Sequence, residues 1–105
     1  MSNSKDHYQE IGQKFTIEHS TTMGQMFGKA CLKINGKAFA AFFQDEMVFK
    51  LGAEEIKDLK DKFIGSQNWD PSGKKRAMKD WFQVPTEFRE DWEGLAKQAL
   101  DFVDA

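Results

Sequence analysis

The most informative segment of this 105-residue chain is residues 26–52, MFGKACLKINGKAFAAFFQDEMVFKLG. The segment contains three apolar runs, with Asn35-Gly36 between the first two and an acidic corner at residues 44–46 between the last two. Asn-Gly between apolar runs is the strongest short-range signal for a β-hairpin, because a type I′ turn needs positive φ at both central residues. The segment therefore predicts three consecutive antiparallel strands.

The register of the first hairpin follows from its turn. A two-residue turn pairs Leu32 with Phe39 on one face of the sheet and Cys31 with Ala40 on the other. Successive side chains of a strand point to opposite faces. One face should therefore carry Ala30, Leu32, Ile34, Phe39, Ala41 and Phe43, and the other should carry Cys31, Ala38, Ala40 and Phe42.

The second hairpin leaves two registers open. Phe42 faces Met47 if the loop has two residues, whereas Phe43 faces Met47 if the loop has three. The difference matters because a slip of one residue moves every side chain of the third strand to the other face.

Both faces of these strands are rich in apolar residues, whereas a sheet with one solvated face alternates apolar and polar residues. Helices should cover one face and leave apolar side chains on the other. Such a patch usually marks an interaction site. We expect a candidate interaction face of Phe42, Phe43, Val48 and Phe49, bound by a protein partner or by a second copy of the chain in a homodimer.

Three helices are predicted around the strands. They comprise residues 4–18, capped by Ser4 or Asn3; residues 53–64, stopped by Gly65; and a helix capped by Thr86. Their apolar stripes are Tyr8, Ile11 and Phe15; Ile56, Leu59 and Phe63; and Phe88, Trp92, Leu95, Ala99 and Phe102 or Val103.

The order of elements predicts the fold class. AMKDWFQVP, residues 77–85, is typical of a last strand that ends at Pro85. The order is then α-β-β-β-α-β-α, with room for extra short strands. Antiparallel strands and separate helices indicate an α+β fold, an antiparallel sheet with helices packed on one face. At this length we expect residues 1–105 to form a single domain.

Composition excludes several classes of protein. The chain is 40% hydrophobic and 30% charged with a net charge of −2, so it has no basic footprint for specific DNA binding. It has a single cysteine, which points to a reducing compartment. Residues 1–15 contain no apolar segment of the kind found in secretory signals, so we expect none there, and no apolar run reaches membrane-spanning length. We expect a cytoplasmic protein without a membrane contact.

Two stretches together resemble the TfoX N-terminal domain family. MFGKACLKINGKAFAAFFQDEMVFKL is similar to the family's Met-Phe-Gly strand start, Asn-Gly hairpin and second hairpin. WDPSGKKRAMKDWFQVP is similar to its later pattern, an aromatic-x-Pro followed by Met-x-x-aromatic and x-x-Pro. The resemblance covers residues 8–104, so the chain looks like a stand-alone, single-domain member.

The resemblance implies an α+β fold like that of secretion chaperones and YjbR-type domains. It also implies kinship with TfoX, also called Sxy, a regulator that activates competence genes alongside a cyclic-AMP receptor protein. The family offers no catalytic residue and no cofactor to carry over. The matching positions that it marks as structural are Met26, Phe27, Gly28, Gly36, Met78, Trp81 and Pro85.

Cys31 and the two histidines are candidates for a chemical site, but each also has a structural interpretation. Cys31 could be a nucleophile with His19 as its base, but a free cysteine on a strand usually behaves as a buried apolar residue. His7 and His19 lie twelve residues apart without the spacing of zinc ligands. We therefore predict no catalytic residue and no metal site.

The charged segments offer one further candidate. Lys74, Lys75, Arg76 and Lys79 could hold an anion together with backbone N–H groups near Gly73. Carboxylates cluster at Glu54, Glu55, Asp58 and Asp61 and again at Glu87, Glu90, Asp91 and Glu93, on polar helix faces. Neither cluster has the apolar setting that a catalytic acid needs.

These observations favour a non-catalytic regulatory or protein-interaction module of the TfoX N-terminal type, with a link to transcriptional regulation. It would need no cofactor. The alternative is a small-ligand or anion-binding protein that uses residues 74–79 beside Trp69 and Trp81. An enzyme based on Cys31 is the third hypothesis.

Overall fold

The structure, a computed structural model, describes residues 3–26 and 28–104. The elements are α1 (Ser4–His19), β1 (Thr22–Met26), β2 (Lys29–Ile34), β3 (Lys37–Phe43), β4 (Glu46–Lys50), α2 (Ala53–Leu59), β5 (Gln67–Trp69), β6 (Met78–Val84), a 3₁₀ helix (Thr86–Asp91) and α3 (Trp92–Asp104). The predicted α+β class and order of elements are confirmed, with β1 and β5 as extra short strands.

Over these residues, the six strands form one antiparallel sheet in the order β1-β2-β3-β4-β6-β5. The predicted meander is its middle, β2 to β4, and β6 returns to pair with β4. The short strands β1 and β5 lie at the two edges. Each edge strand therefore has one neighbour and one open side.

Helix α1 forms as its sequence predicts. The Asn3 side chain accepts a hydrogen bond of 2.9 Å from the Asp6 backbone N–H, so Asn3 is the cap. The predicted stripe of Tyr8, Ile11 and Phe15 is buried. The helix ends at His19, one residue later than expected, where Ser20 takes a left-handed conformation with a φ of 58°.

The first hairpin has the predicted turn but a different register. Asn35 and Gly36 have φ values of 52° and 80°, as a type I′ turn requires. After two regular pairs a β-bulge follows, so that Leu32 pairs with Ala40 and Cys31 with Ala41. The predicted pairs, Leu32 with Phe39 and Cys31 with Ala40, are therefore wrong.

The bulge corrects the predicted faces of β3. Two residues of the bulged strand oppose one on its partner. Phe39 and Ala40 therefore both enter the larger apolar core, which lies between the helices and one face of the sheet and which we call the helix-covered core. Beyond the bulge the alternation is inverted. Phe42 joins this core, whereas Ala41 and Phe43 lie on the opposite face with Cys31.

The second hairpin takes the two-residue loop. Gln44 and Asp45 have φ values of 50° and 66°, and Phe42 pairs with Met47. The alternative with Phe43 opposite Met47 is excluded.

Helix α2 is shorter than predicted. It ends at Leu59 rather than Ile64, because the N–H groups of Lys62 and Phe63 both donate to the Leu59 carbonyl and tighten the last turn. Phe63 nevertheless reaches the core, and Gly65 follows with a φ of 95°.

The third helix begins later than expected. Residues 86–91 form a 3₁₀ helix with a kink at Phe88, and α3 starts at Trp92. Thr86 is not its cap, since the Thr86 hydroxyl donates to the Asp45 carbonyl instead. Of the predicted stripe, Trp92, Leu95 and Ala99 are buried, Phe88 and Val103 are half-buried, and Phe102 is 46% exposed.

Apolar clusters lie on both faces of the sheet. The larger one joins the helices to one face. The second core lies on the opposite face; it comprises Cys31, Ala41, Val48, Trp69 and Trp81, with Met26, Ala38, Phe43 and Met78 packed against it. All of these residues belong to strands, so the helices do pack on one face, and the strands cover the other face with their own side chains.

Candidate functional site

The predicted interaction face is divided between the two cores. Phe42 and Phe49 lie in the helix-covered core, where the Phe42 ring packs on Tyr8 at 5.3 Å. Phe43 and Val48 belong to the second core. Val48 and Phe49 are fully buried and the other two are half-buried. The structure does not bring these four residues together on one exposed surface.

Aromatic rings close the second core without a helix. The rings of Trp69 and Trp81 lie 5.2 Å apart, and Phe43 meets Trp69 edge-on at 5.7 Å. Lys29 extends over the outer side of Phe43, with its Nζ 5.5 Å from the ring centre. A lysine stem thus covers apolar surface while its ammonium stays in water.

An exposed apolar groove lies elsewhere, between α1 and the edge strand β1. It encloses about 580 Å³ and is lined by Gln13, Thr16, Ile17, Thr21, Thr22 and Met23, all uncharged. Ile17 is 84% exposed and Met23 is 44% exposed. We call this surface the α1–β1 groove.

Close packing of α1 on the sheet builds the groove. Gly12 of α1 lies against Met23 and Leu32, and a Cβ there would be 2.8 Å from the Met23 Cε. The missing side chain lets the helix lie directly over β1. Thr21, which links the two elements, is 2% exposed, and its hydroxyl has no hydrogen-bond partner among the described residues. The groove therefore combines exposed apolar side chains with one unsatisfied polar group.

The predicted anion segment folds around a carboxylate. Asp70 accepts hydrogen bonds from the backbone N–H groups of Ser72, Gly73 and Arg76 and from the Ser72 hydroxyl, at 2.7–3.2 Å. The Lys74 N–H donates to the Ser72 hydroxyl oxygen. The backbone donors that we expected to bind an anion near Gly73 are therefore occupied by the chain itself.

The charge of Asp70 also opposes anion binding. The hydrogen bond from the Ser72 hydroxyl, with those from the N–H groups of Arg76, Ser72 and Gly73, lowers the Asp70 pKa and keeps the carboxylate ionised. The four cations, Lys74, Lys75, Arg76 and Lys79, are exposed around it. Trp69 and Trp81 are buried in the second core, so they offer no open ring beside these cations.

Cys31 does not have the environment of a nucleophile. It is fully buried, and burial raises the pKa of its thiol, an effect that Lys33 only partly offsets. His19 packs edge-on against Phe15 at 5.0 Å, and Phe15 belongs to the helix-covered core. Cys31 belongs to the second core, so the sheet separates it from the proposed base.

His7 and the acidic cluster of α2 lie in different parts of the structure. The His7 ring donates through Nε2 to the Arg89 carbonyl at 2.9 Å and packs 5.7 Å from Trp92. Three carboxylates of α2, Glu54, Glu55 and Asp58, line a hollow of about 520 Å³ together with Asp80 and Phe102. Within residues 3–26 and 28–104, no group of three or more His, Cys, Asp and Glu residues is arranged to hold a metal ion.

The positions marked by the resemblance serve turns and packing. Gly28 and Gly36 have φ values of 74° and 80°, which favour glycine. Pro85 precedes the 3₁₀ helix. Met26, Met78 and Trp81 pack in the second core. Phe27 lies outside the described residues.

The sequence reasoning missed the α1–β1 groove. Ile17 falls outside the apolar stripe of its helix, and we assigned no role to it. The available signal was the run Ser20–Met26, STTMGQM, which has no charge in a chain that is 30% charged. An uncharged run beside an off-stripe isoleucine indicates a surface that is not simply solvated.

Comparisons with known proteins identify a family for most of the chain. None of the described helices is long and apolar enough to cross a bilayer. No curated protein and no solved structure matches the chain. The model of the TfoX N-terminal domain family matches residues 19–104, which include all six strands of the described sheet and the whole second core. The chain therefore belongs to the TfoX N-terminal domain family.

Proposed function

We propose that the chain is a non-catalytic module that acts in regulation by binding a protein, in line with its family. The observation that carries the proposal is the α1–β1 groove, where Ile17 is 84% exposed and Met23 44% exposed. Fully burying side chains of this kind contributes roughly 1.5–3 kcal/mol each. A protein that closed the groove would gain the part of this free energy that corresponds to the exposed fraction of each side chain.

The uncharged lining supports a protein rather than a nucleic acid as the ligand. Nucleic-acid binding depends on cations that neutralise phosphates, and none of the groove residues is charged. The nearest cation of α1 along the chain, Lys14, instead pairs with Glu93 at 2.8 Å. We extend the proposal to a link with transcriptional regulation and to a cytoplasmic location. The single cysteine, which has no second cysteine in the chain to pair with, supports this location.

The absence of catalysis is part of the same proposal. The buried Cys31 has a raised thiol pKa and faces away from His19. Asp70, the carboxylate with the lowered pKa, holds its own loop together. Both groups serve structure, so we assign no reaction to them.

A photo-crosslinking amino acid at position 17 tests the proposal in cells. We expect covalent adducts with another protein chain, detected by mass spectrometry. The matched control places the same amino acid at position 64, because Ile64 is similarly exposed, at 71%, but lies outside the groove. Adducts at position 17 no more abundant than those at position 64 would contradict the proposal.

A further inference from the structure

The edge strand β1 has a free side. It pairs antiparallel with β2 from Thr22 opposite Lys33 to Met26 opposite Lys29, and no other strand of the described chain pairs with it. One row of its backbone N–H and C=O groups therefore points away from the sheet. Such a row is a template for another strand.

The two edges of this sheet differ in their protection. The edge strand β5 has only three residues and continues into a loop that contains Pro71, Lys74 and Lys75. Short edges, proline and lysine are the features with which proteins prevent strand addition. The five residues of β1, TMGQM, contain neither charge nor proline. β1 is therefore the edge that can accept a strand.

The β1 strand of a second molecule of the same chain can pair with this edge. In a symmetric antiparallel pair the two-fold axis passes through one residue that faces itself. An axis at Gly24 uses all five residues and pairs Thr22 with Met26 and Met23 with Gln25. Because the row at the free edge contains both N–H donors and C=O acceptors, each strand can provide hydrogen-bond partners for the free backbone groups of the other.

The same two-fold axis closes the α1–β1 groove. An axis perpendicular to the sheet keeps both copies of α1 on one face, beside the seam. Ile17 and Met23 of each copy then lie next to the groove of the other. Because the groove residues carry no charge, two copies of this surface meet without like-charge repulsion, although each chain has a net charge of −2.

We propose that the chain forms a homodimer in which two β1 strands pair antiparallel through Gly24 and extend the sheets into one. The inference rests on the proposed function, since it names a second copy as the partner of the α1–β1 groove. The proposed interface lies at the edge of the sheet, whereas the sequence predicted self-association through a face of the sheet.

One cation lies close to the seam on the opposite face. The Lys33 side chain passes beside Gly24, with Nζ 3.8 Å from the place of a Cβ there. The axis at Gly24 brings two such ammonium groups near each other. Salt screens repulsion between exposed charges, so the dimer should become tighter as salt rises from 50 to 300 mM.

Analytical ultracentrifugation over a concentration series tests the pairing. We expect a reversible dimer at micromolar concentrations and at least a tenfold increase of its dissociation constant in Ile17→Lys. The control Ile64→Lys should leave the constant unchanged, because Ile64 is 71% exposed and lies outside the groove. A wild-type chain that stays monomeric at 500 μM overturns the proposal, and so does a dimer that tolerates Ile17→Lys.

Disulfide crosslinking tests the register independently of affinity. Gly24→Cys should give crosslinked dimers under mild oxidation, since the residue on the axis faces itself; a Cβ there makes only ordinary contacts, 3.6 Å or longer. The background is Cys31→Ala, because Cys31 lies opposite Gly24 in β2 and would capture the new thiol. The control is Gly94→Cys, because a Cβ at this position of α3 would have no atom within 4 Å. Equal crosslinking of the two variants contradicts the register.

The outcomes separate this inference from the proposed function. A monomeric chain whose position 17 crosslinks to a different protein overturns the homodimer and supports the proposed function. Adducts at position 17 that consist of two copies of this chain support both. The absence of adducts and of dimers overturns both.

Discussion

At the scale of single residues, Cys31 and Asp70 both have a shifted pKa, and both stabilise structure. Cys31 is fully buried in the second core, with Ala41 and Val48 among the other members of that core. The Asp70 carboxylate accepts hydrogen bonds from the backbone N–H groups of its own loop, which are the donors that a bound anion would need. The sequence showed which residues are reactive types, but their hydrogen-bond partners and burial decided their roles.

Cys31→Ala should keep the fold and any regulatory activity. The thiol is fully buried with a raised pKa, so its loss removes packing rather than a reactive group. We expect a stability loss of roughly 0.5–3 kcal/mol in urea denaturation. The native wild-type thiol should react with a disulfide reagent only after unfolding. Loss of activity in a normally folded variant would contradict a structural role.

The Asp70 loop should loosen in acid. Because hydrogen bonds lower the folded-state pKa of Asp70, its stabilisation is present above the unfolded value of about 3.9 and is lost as pH falls through the lower folded value. The backbone amide signals of Gly73 and Arg76 should therefore shift in an NMR titration with a midpoint below about 3.9. Ser72→Ala, which removes the largest contribution, should move this midpoint up. An unchanged midpoint in that variant would contradict the assignment.

At the scale of elements, the turn of the first hairpin could be predicted from Asn35-Gly36, but the register of its strands could not. A turn fixes only the pairs next to it, and the bulge depends on packing. Phe39 and Ala40 both reach the helix-covered core because the bulge makes Phe39 an extra residue between the pairs Lys33–Ala38 and Leu32–Ala40. A tertiary contact likewise decided the role of Thr86, whose hydroxyl donates to the Asp45 carbonyl instead of capping α3. The α1–β1 groove could not be predicted, because it forms only when Ile17 of α1 and Met23 of β1 lie side by side in the folded chain.

Gly12 should set the contact between α1 and β1. Gly12→Val places branched carbons where a single Cβ already lies 2.8 Å from Met23 and 3.0 Å from Leu32. Overpacking of this kind typically costs about 1–3 kcal/mol, which urea denaturation can measure. The matched control is Gly94→Ala, since a Cβ there meets nothing within 4 Å. It should instead stabilise α3 by up to about 1 kcal/mol. Equal effects at the two glycines would contradict the close packing.

At the scale of the whole molecule, a chain of 105 residues maintains apolar clusters on both faces of one sheet. The resemblance and the order of elements predicted the layer of helices, whereas the self-covered second face could not be foreseen. The sequence showed apolar residues on both faces of the meander, and we expected an external partner to cover one of them. The indole rings of Trp69 and Trp81 supply that cover from within the chain, and the free surface lies at the sheet edge instead.

The second core should therefore be essential for stability. Trp69 is fully buried there without a helix above it, and Trp→Ala substitutions in cores cost about 3–5 kcal/mol. Since small domains have stabilities of about 5–15 kcal/mol, Trp69→Ala should move the urea midpoint far down in a single cooperative transition. The matched control is Phe102→Ala, an aromatic truncation at a side chain that is 46% exposed, which should cost less than about 1 kcal/mol. If the two truncations cost the same, the aromatic cluster on the open face is only a surface patch, and that face again becomes a candidate for a partner.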